Sequence, residues 1–147
     1  MTFQFPYNNI LTLKEKEKDQ AYSEFGIIIK KKAALQEEQN AYIQERDDRI
    51  SRWEQESFTS VIEIRQRHHF LEGLNEKISK INKDLLKVEE EFKTKQAIFF
   101  EKKKDERMWQ HLRDKSYDAY IQKEKKEEQD LMDEMAAIRH YHQRLSI

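Results

Sequence analysis

Cysteine is absent from the 147 residues, proline occurs once and glycine twice. Without cysteine there is no disulfide framework and no thiolate metal site. So few turn-forming residues argue against a many-stranded fold. Charge of one sign is missing as well. Lys and Arg number 28 against 29 Asp and Glu, a net charge of −1, which leaves no basic excess to neutralise a polyanion. Long apolar runs are also lacking. Runs such as Ile27-Ile28-Ile29 and Ala97-Ile98-Phe99-Phe100 fall far below the ~20 residues a bilayer requires. The opening Met1-Thr2-Phe3-Gln4-Phe5-Pro6 has no basic stretch followed by an apolar one, unlike a secretory signal. These absences predict a cytoplasmic protein.

What is present is charge and helix-forming sequence. Charged residues make up 39% of the chain, and Leu, Ile, Val and Phe together number 34. With net charge near zero, this lies outside the class that stays disordered, yet it is too little apolar mass for a thick core. The composition therefore predicts long, polar, narrow helices in one coiled-coil domain over residues 1–147.

The periodicity divides the chain in two. Helix 1 is predicted over about 8–56, its start lying between Pro6, suited to a first helical turn, and Thr12, which has capping-box spacing to Glu15. Its apolar positions Leu11, Tyr22, Phe25, Ile29, Leu35, Ile43, Ile50 and Trp53 line one stripe. Residues 57–60, Ser-Phe-Thr-Ser, break the pattern and predict a tight turn, with Ser60 and Glu63 again spaced as a capping box. Helix 2 is predicted over about 61–142. After Gly73 neither Gly nor Pro recurs, so a continuous helix there would extend about 110 Å at 1.5 Å per residue.

Helix 2 carries the clearest signal. Leu71, Leu74, Ile78, Ile81, Leu85, Val88, Phe92 and Phe99 step by 3 and 4, with Lys95 the only miss. That regularity marks a two-helix seam. Acid-first i, i+4 pairs flank the pattern: Glu45–Arg49, Asp48–Arg52, Glu63–Arg67, Glu76–Lys80, Glu89–Lys93 and Glu91–Lys95. If the chain reverses at 57–60, antiparallel partners have residue numbers summing to about 117. This sets Phe92 on Phe25, Val88 on Ile29, Leu74 on Ile43, and Lys95 under the ring of Tyr22. The predicted fold is all-α, a long antiparallel two-helix coiled-coil hairpin. Roughly the last 35 residues overhang it, bearing a further stripe of Leu131, Met135, Ile138 and Leu145.

Reactive chemistry is not readable in the sequence. Neighbours at i+1 and i+2 diverge on a helix, so neither His68-His69 nor His140 with His142 converges on a metal. No Gly-rich phosphate loop or defensible Ser–His–Asp arrangement occurs, and a slender coiled coil offers no closed pocket in which to part the pKa values of paired carboxylates. No enzyme activity, cofactor, metal or small-molecule ligand is expected. The blocks Lys30-Lys31-Lys32 and Lys102-Lys103-Lys104 are each offset by nearby acids, so no nucleic acid is expected either. The aromatics Trp53, Phe58, Phe70, Trp109, Tyr117, Tyr120 and Tyr141 exceed what a two-helix seam buries. They predict either contact with a partner or packing within the chain at the turn and the ends.

Three stretches carry a resemblance. Phe3-Gln4-Phe5 with Leu11-Thr12-Leu13-Lys14-Glu15-Lys16-Glu17-Lys18 resembles the start of flagellar FliJ proteins. Ser60-Val61-Ile62-Glu63-Ile64-Arg65, then Arg67-His68-His69-Phe70, is similar to that family's entry into its second helix, with Arg67 standing where an aromatic is common. Leu131-Met132-Asp133-Glu134-Met135-Ala136 resembles its closing segment. The resemblance implies a non-enzymatic component of the bacterial flagellar type III export apparatus, with a role in flagellum biogenesis and motility. It implies a stalk-like coiled coil, monomeric alone, that promotes assembly and activity of the hexameric export ATPase and couples it to the membrane export-gate protein. Handling of export chaperones is implied too, as is a peripheral location at the cytoplasmic face of the inner membrane at the flagellar base. It suggests gate contacts at Phe70, Leu74, Ile43 and Ile50, although the hairpin register would bury Leu74 and Ile43. It suggests an ATPase-facing end at Leu131, Met135 and Ile138. The alternative is a coiled-coil chaperone or adaptor, or a homodimeric scaffold, unrelated to export.

Overall fold

A computed structural model of the chain describes residues 2–56 and 60–145. It contains two helices, α1 (Asn8–Gln55) and α2 (Val61–Leu145), and no strand among the described residues. The architecture is the predicted all-α hairpin.

Local chemistry sets the helix starts. The Tyr7 carbonyl accepts the first helical N–H groups, from Ile10 at 3.0 Å and Leu11 at 3.1 Å, one residue after Pro6. Thr12 is not a cap. Its hydroxyl donates back to the Asn8 carbonyl at 3.0 Å, inside the first turns. Ser60 does cap α2: its Oγ accepts the Glu63 N–H at 3.3 Å, and its carbonyl accepts the Ile64 N–H at 3.1 Å. The rest of the predicted turn, 57–59, lies outside the described residues.

The contacts form two compact units, Asp19–Glu101 and Met1–Lys18 with Lys102–Ile147. In the first, α2 contributes buried Leu74, Ile78, Ile81 and Val88, as its heptads predict, while α1 contributes buried Ala21 and Ile28. Half-buried Phe25, Lys32, Leu35, Gln39, Tyr42, Arg46, Ile50 and Trp53 complete the α1 face. These residues step by 3 and 4 with Ala21 and Ile28, which makes them a seam with polar members. The expected assignment of Ile29 and Tyr22 to this seam is corrected, because both are exposed and Ile28 and Ala21 take their places. Tyr22 still lays its ring against Phe99, 5.4 Å between centroids, and Lys95 bonds Glu24 at 3.0 Å instead of lying under Tyr22.

Register moves with the seam. Phe25 meets Phe92 at 5.1 Å, the pair expected from a sum of 117. Three polar pairs instead sum to 121: Lys32–Glu89 at 2.7 Å, Gln39–Asn82, and Arg46–Asn75 at 3.3 Å. The shift is about one helical turn. At this offset these side chains pair across the two helices at the exposed edge of the seam. The same cross-helix pairing redirects the expected i, i+4 pairs. Lys95 crosses to Glu24, Glu89 takes Lys32, and Arg67 reaches Glu56, all on the opposite segment.

In the second unit Leu11 is 1% exposed and Phe5 is buried. Glu106 stands in line with this seam and is only 6% exposed. Lys18 satisfies it across the helix pair at 2.8 Å, and Gln110 donates to its other oxygen at 2.9 Å. A buried carboxylate without such partners would be strongly unfavourable. Glu17 pairs with Lys102 at 3.4 Å beside it.

Three outcomes are expected. Ile81→Ala removes buried apolar volume and should lower stability by about 2–4 kcal/mol in thermal or urea unfolding. Gly26 sits inside α1 with open space where a Cβ would stand and no positive φ, so Gly26→Ala should raise stability by about 0.5–1 kcal/mol. Lys95 holds the Glu24 carboxyl, and Lys32 the Glu89 carboxyl, below the ordinary range, chiefly by hydrogen bonding. Depressed carboxyl pKa values stabilise the fold at neutral pH, and that contribution is lost as pH falls through the folded pKa. The melting temperature should therefore drop on acidification below about pH 4, and Lys95→Gln should make that drop shallower.

Candidate functional site

Two surfaces carry more apolar and aromatic groups than the seam consumes. One lies in the unit Asp19–Glu101, on the parts of α1 and α2 next to residues 57–60. There Trp53 and Phe70 meet edge to face, 6.1 Å between centroids at 77°. The Arg67 guanidinium lies 5.1 Å from the Trp53 ring and bonds Glu56, and the Arg49 guanidinium lies 5.1 Å from the Phe70 ring. Each aromatic face is thus covered by a cation, an arrangement worth up to about 2 kcal/mol when desolvated.

Of the four residues suggested for this surface, Phe70 is half-buried in that box, and Ile43 and Ile50 are half-buried on α1. Leu74 is 4% exposed, deep in the seam. Beside Ile43, Tyr42 meets α2 through the Lys77 ammonium, 5.5 Å from its ring. Phe58, one of the expected aromatics, lies outside the described residues.

Sequence reasoning missed an apolar group on the outer face of α2. Val61, Ile62 and Ile64 are all exposed, and a shallow groove runs between Val61, Ile62, Arg65, Gln66 and His69. At 100° per residue these groove residues lie roughly 120–260° round from Arg67, away from the seam. Three β-branched aliphatic residues within four positions were the available signal. Beside them the His68 Nε2 lies 3.0 Å from Glu72.

The second surface belongs to the other unit. Phe3 packs against Tyr117 and Tyr120, each 5.4 Å away, and Tyr7 against both Phe5, at 5.8 Å, and Trp109, at 5.9 Å. The residues ahead of α1 thereby cover α2 as far as Tyr120. The overhang expected from about residue 112 begins later, because Phe3 and Phe5 supply apolar cover that the helical pattern of α1 did not predict. The Glu124 carboxylate, hydrogen-bonded to the Tyr120 hydroxyl, pushes that phenol's pKa up.

Beyond this clasp every described residue from Gln122 to Leu145 is exposed. Leu131, Met135 and Ile138, the three residues suggested for an ATPase-facing end, are each more than half exposed, as are Met132, Tyr141 and Leu145. Acids crowd one side, where Glu127, Asp130, Asp133 and Glu134 line a shallow groove with Leu131. An apolar stripe of this size on a bare helix is an interaction surface in need of cover. Both surfaces suit macromolecular docking. Among the described residues no group of three His, Asp or Glu side chains could hold a metal, and no helix is long and apolar enough to cross a membrane.

Comparison with known proteins bears on which apparatus such surfaces serve. No solved structure matches the chain. A flagellar FliJ protein of Bacillus subtilis (strain 168) is 26% identical over 138 residues, covering 92% of this chain and 94% of that protein. The family model described as "Flagellar FliJ protein" matches residues 3–145. A match over nearly the whole hairpin, from the N-terminal aromatic clasp to the bare end of α2, shows that this chain belongs to the flagellar FliJ family.

Proposed function

We propose that the chain is a non-enzymatic component of the flagellar type III export apparatus. In this reading it binds the hexameric export ATPase through the exposed end of α2, promotes assembly and activity of the ring, and links it to the membrane export gate through the surface beside residues 57–60. It works in the cytoplasm, peripheral to the inner membrane at the flagellar base, and also handles export chaperones. Family membership supports the association with flagellar export.

The observation that carries the reading is the bare stretch Gln122–Leu145. It keeps an apolar stripe with no intrachain cover, beside an aromatic clasp that fastens residues 3–7 to α2. A helix pair about 20 Å across, two helices of roughly 10 Å each, is slim enough to enter a ring pore. On the gate side Phe70, Ile43 and Ile50 make the contact, with Leu74 acting from beneath as the buried support of Phe70. The second reading is a scaffold that pairs with its own copy through this stripe, although the acids from Glu127 to Glu134 would then lie near one another. Stoichiometry separates the two: a stalk is monomeric alone and binds one per six-fold ring, whereas a scaffold dimerises unaided.

Mixing the protein with the export ATPase should increase ring formation and ATP hydrolysis. The double variant Leu131→Ala/Ile138→Ala should lose most of that stimulation while keeping its helical circular dichroism. Unchanged stimulation would remove the ATPase assignment. Phe70→Ala should weaken capture of the cytoplasmic part of the gate protein at least about ten-fold, a hot-spot loss of roughly 1.4 kcal/mol or more. An unaltered affinity refutes the gate assignment.

A further inference from the structure

The bare end of α2 continues the seam in phase. On α2 the seam-side positions Glu106, Trp109, Arg113, Ser116 and Tyr120 are each buried or half-buried and step by 3 and 4. Carrying the helical period of 3.6 residues past Tyr120 gives Glu124, Glu127, Leu131, Glu134, Ile138, His142 and Leu145. Cover stops at Tyr120, but the pattern that required it does not. The cover fitting this face is another helix, since α1 covers that side of α2 at Glu106 through Lys18 before residues 3–7 take over as far as Tyr120.

The residues on that face also specify what the covering helix must carry. Three of the continued positions are glutamates. The hairpin shows how a glutamate in the seam is accommodated, because buried Glu106 is met by the Lys18 ammonium at 2.8 Å from the helix opposite. Under a covering helix Glu127 and Glu134 need the same, as does Glu124 beyond its bond to the Tyr120 hydroxyl. We propose that α2 beyond Tyr120 is covered by a helix of a partner protein that sets Lys or Arg opposite Glu124, Glu127 and Glu134 and apolar side chains opposite Leu131, Met135 and Ile138.

A second copy of this chain fits poorly, because between Glu127 and Ile138 it offers no Lys or Arg and only further acids. An anionic membrane surface is excluded by the same acids, whose charge it would repel. The inference deepens the assignment of this stripe to the ATPase and rests on that assignment only for the partner's identity.

Two synthetic helices of equal length test it with the full chain, one built on Leu and Lys heptads, the other with Glu replacing every Lys. In fluorescence anisotropy the Leu/Lys helix should bind at least ten-fold more tightly than the Leu/Glu helix at about 0.1 M salt. That preference should shrink at about 0.5 M, where screening is strong. Leu131→Ala/Ile138→Ala should weaken binding at least ten-fold. The charge reversal Glu127→Lys/Glu134→Lys should transfer the preference to the Leu/Glu helix. All four positions are exposed, and circular dichroism checks that the variants stay folded.

Equal binding of both helices, binding of neither, or a reversal variant that keeps the Leu/Lys preference overturns the proposal. So does sedimentation showing a dimer abolished by Leu131→Ala/Ile138→Ala, which would make a second copy the occupant. Peptide selectivity without any effect of the same variants on ATPase stimulation would leave this proposal standing and remove the ATPase as the partner.

Discussion

Side chains that carry a charge or an amide across the seam decide how the two helices lie on each other. Lys32 reaches Glu89, Gln39 meets Asn82, Arg46 meets Asn75, and Lys18 reaches buried Glu106. Apolar contacts alone would tolerate a slip of one turn, since Leu, Ile, Val and Phe along α2 recur at steps of 3 and 4. Buried Glu106 does not tolerate it, because a slip parts its carboxylate from Lys18 inside the seam. The observed offset also buries Ala21 and Ile28 in place of Tyr22 and Ile29.

The polar seam has a second consequence. A helix pair with so little apolar surface gains modest stability per residue from burial, so its ends need additional fastening. At the end next to residues 57–60 the fastening is Trp53 against Phe70, with Arg67 and Arg49 over the two rings. In the unit that holds the N-terminal residues it is the clasp of Phe3 on Tyr117 and Tyr120 and of Tyr7 on Trp109. Aromatics that looked surplus to a two-helix seam are thus largely spent within the chain, by edge-to-face packing and cation–π contact. Among the described residues Tyr141 is the exception, exposed on the uncovered end of α2.

That leaves the interaction surfaces defined by what the chain does not cover. Gln122–Leu145 keeps the phase of a seam and loses its partner, and Val61, Ile62 and Ile64 set apolar bulk on an outer helix face. Helical backbone on a thin support presents such side chains with little rearrangement, which limits the ordering cost of docking. Acidic neighbours beside Leu131 and a guanidinium beside Ile62 give the two surfaces different charge, and so different partners.

The sequence by itself determined the all-α class, the heptads of α2 from Leu71 to Phe99, the Ser60 cap and the existence of an uncovered C-terminal stripe. Each follows from local chemistry: helical period, scarcity of Gly and Pro, and a hydroxyl three residues before Glu63. Family likeness was legible as well, from short stretches spread over the chain. Only the tertiary structure decided the register, the α1 face, the burial of Glu106 and the extent of the clasp. The seam of α1 was hidden because Lys18, Lys32, Gln39 and Arg46 occupy core-phase positions while reading as surface residues in sequence. A long polar side chain can lay its stem along a seam and deliver its head to a partner, and which partner it meets is fixed only when the second helix is in place.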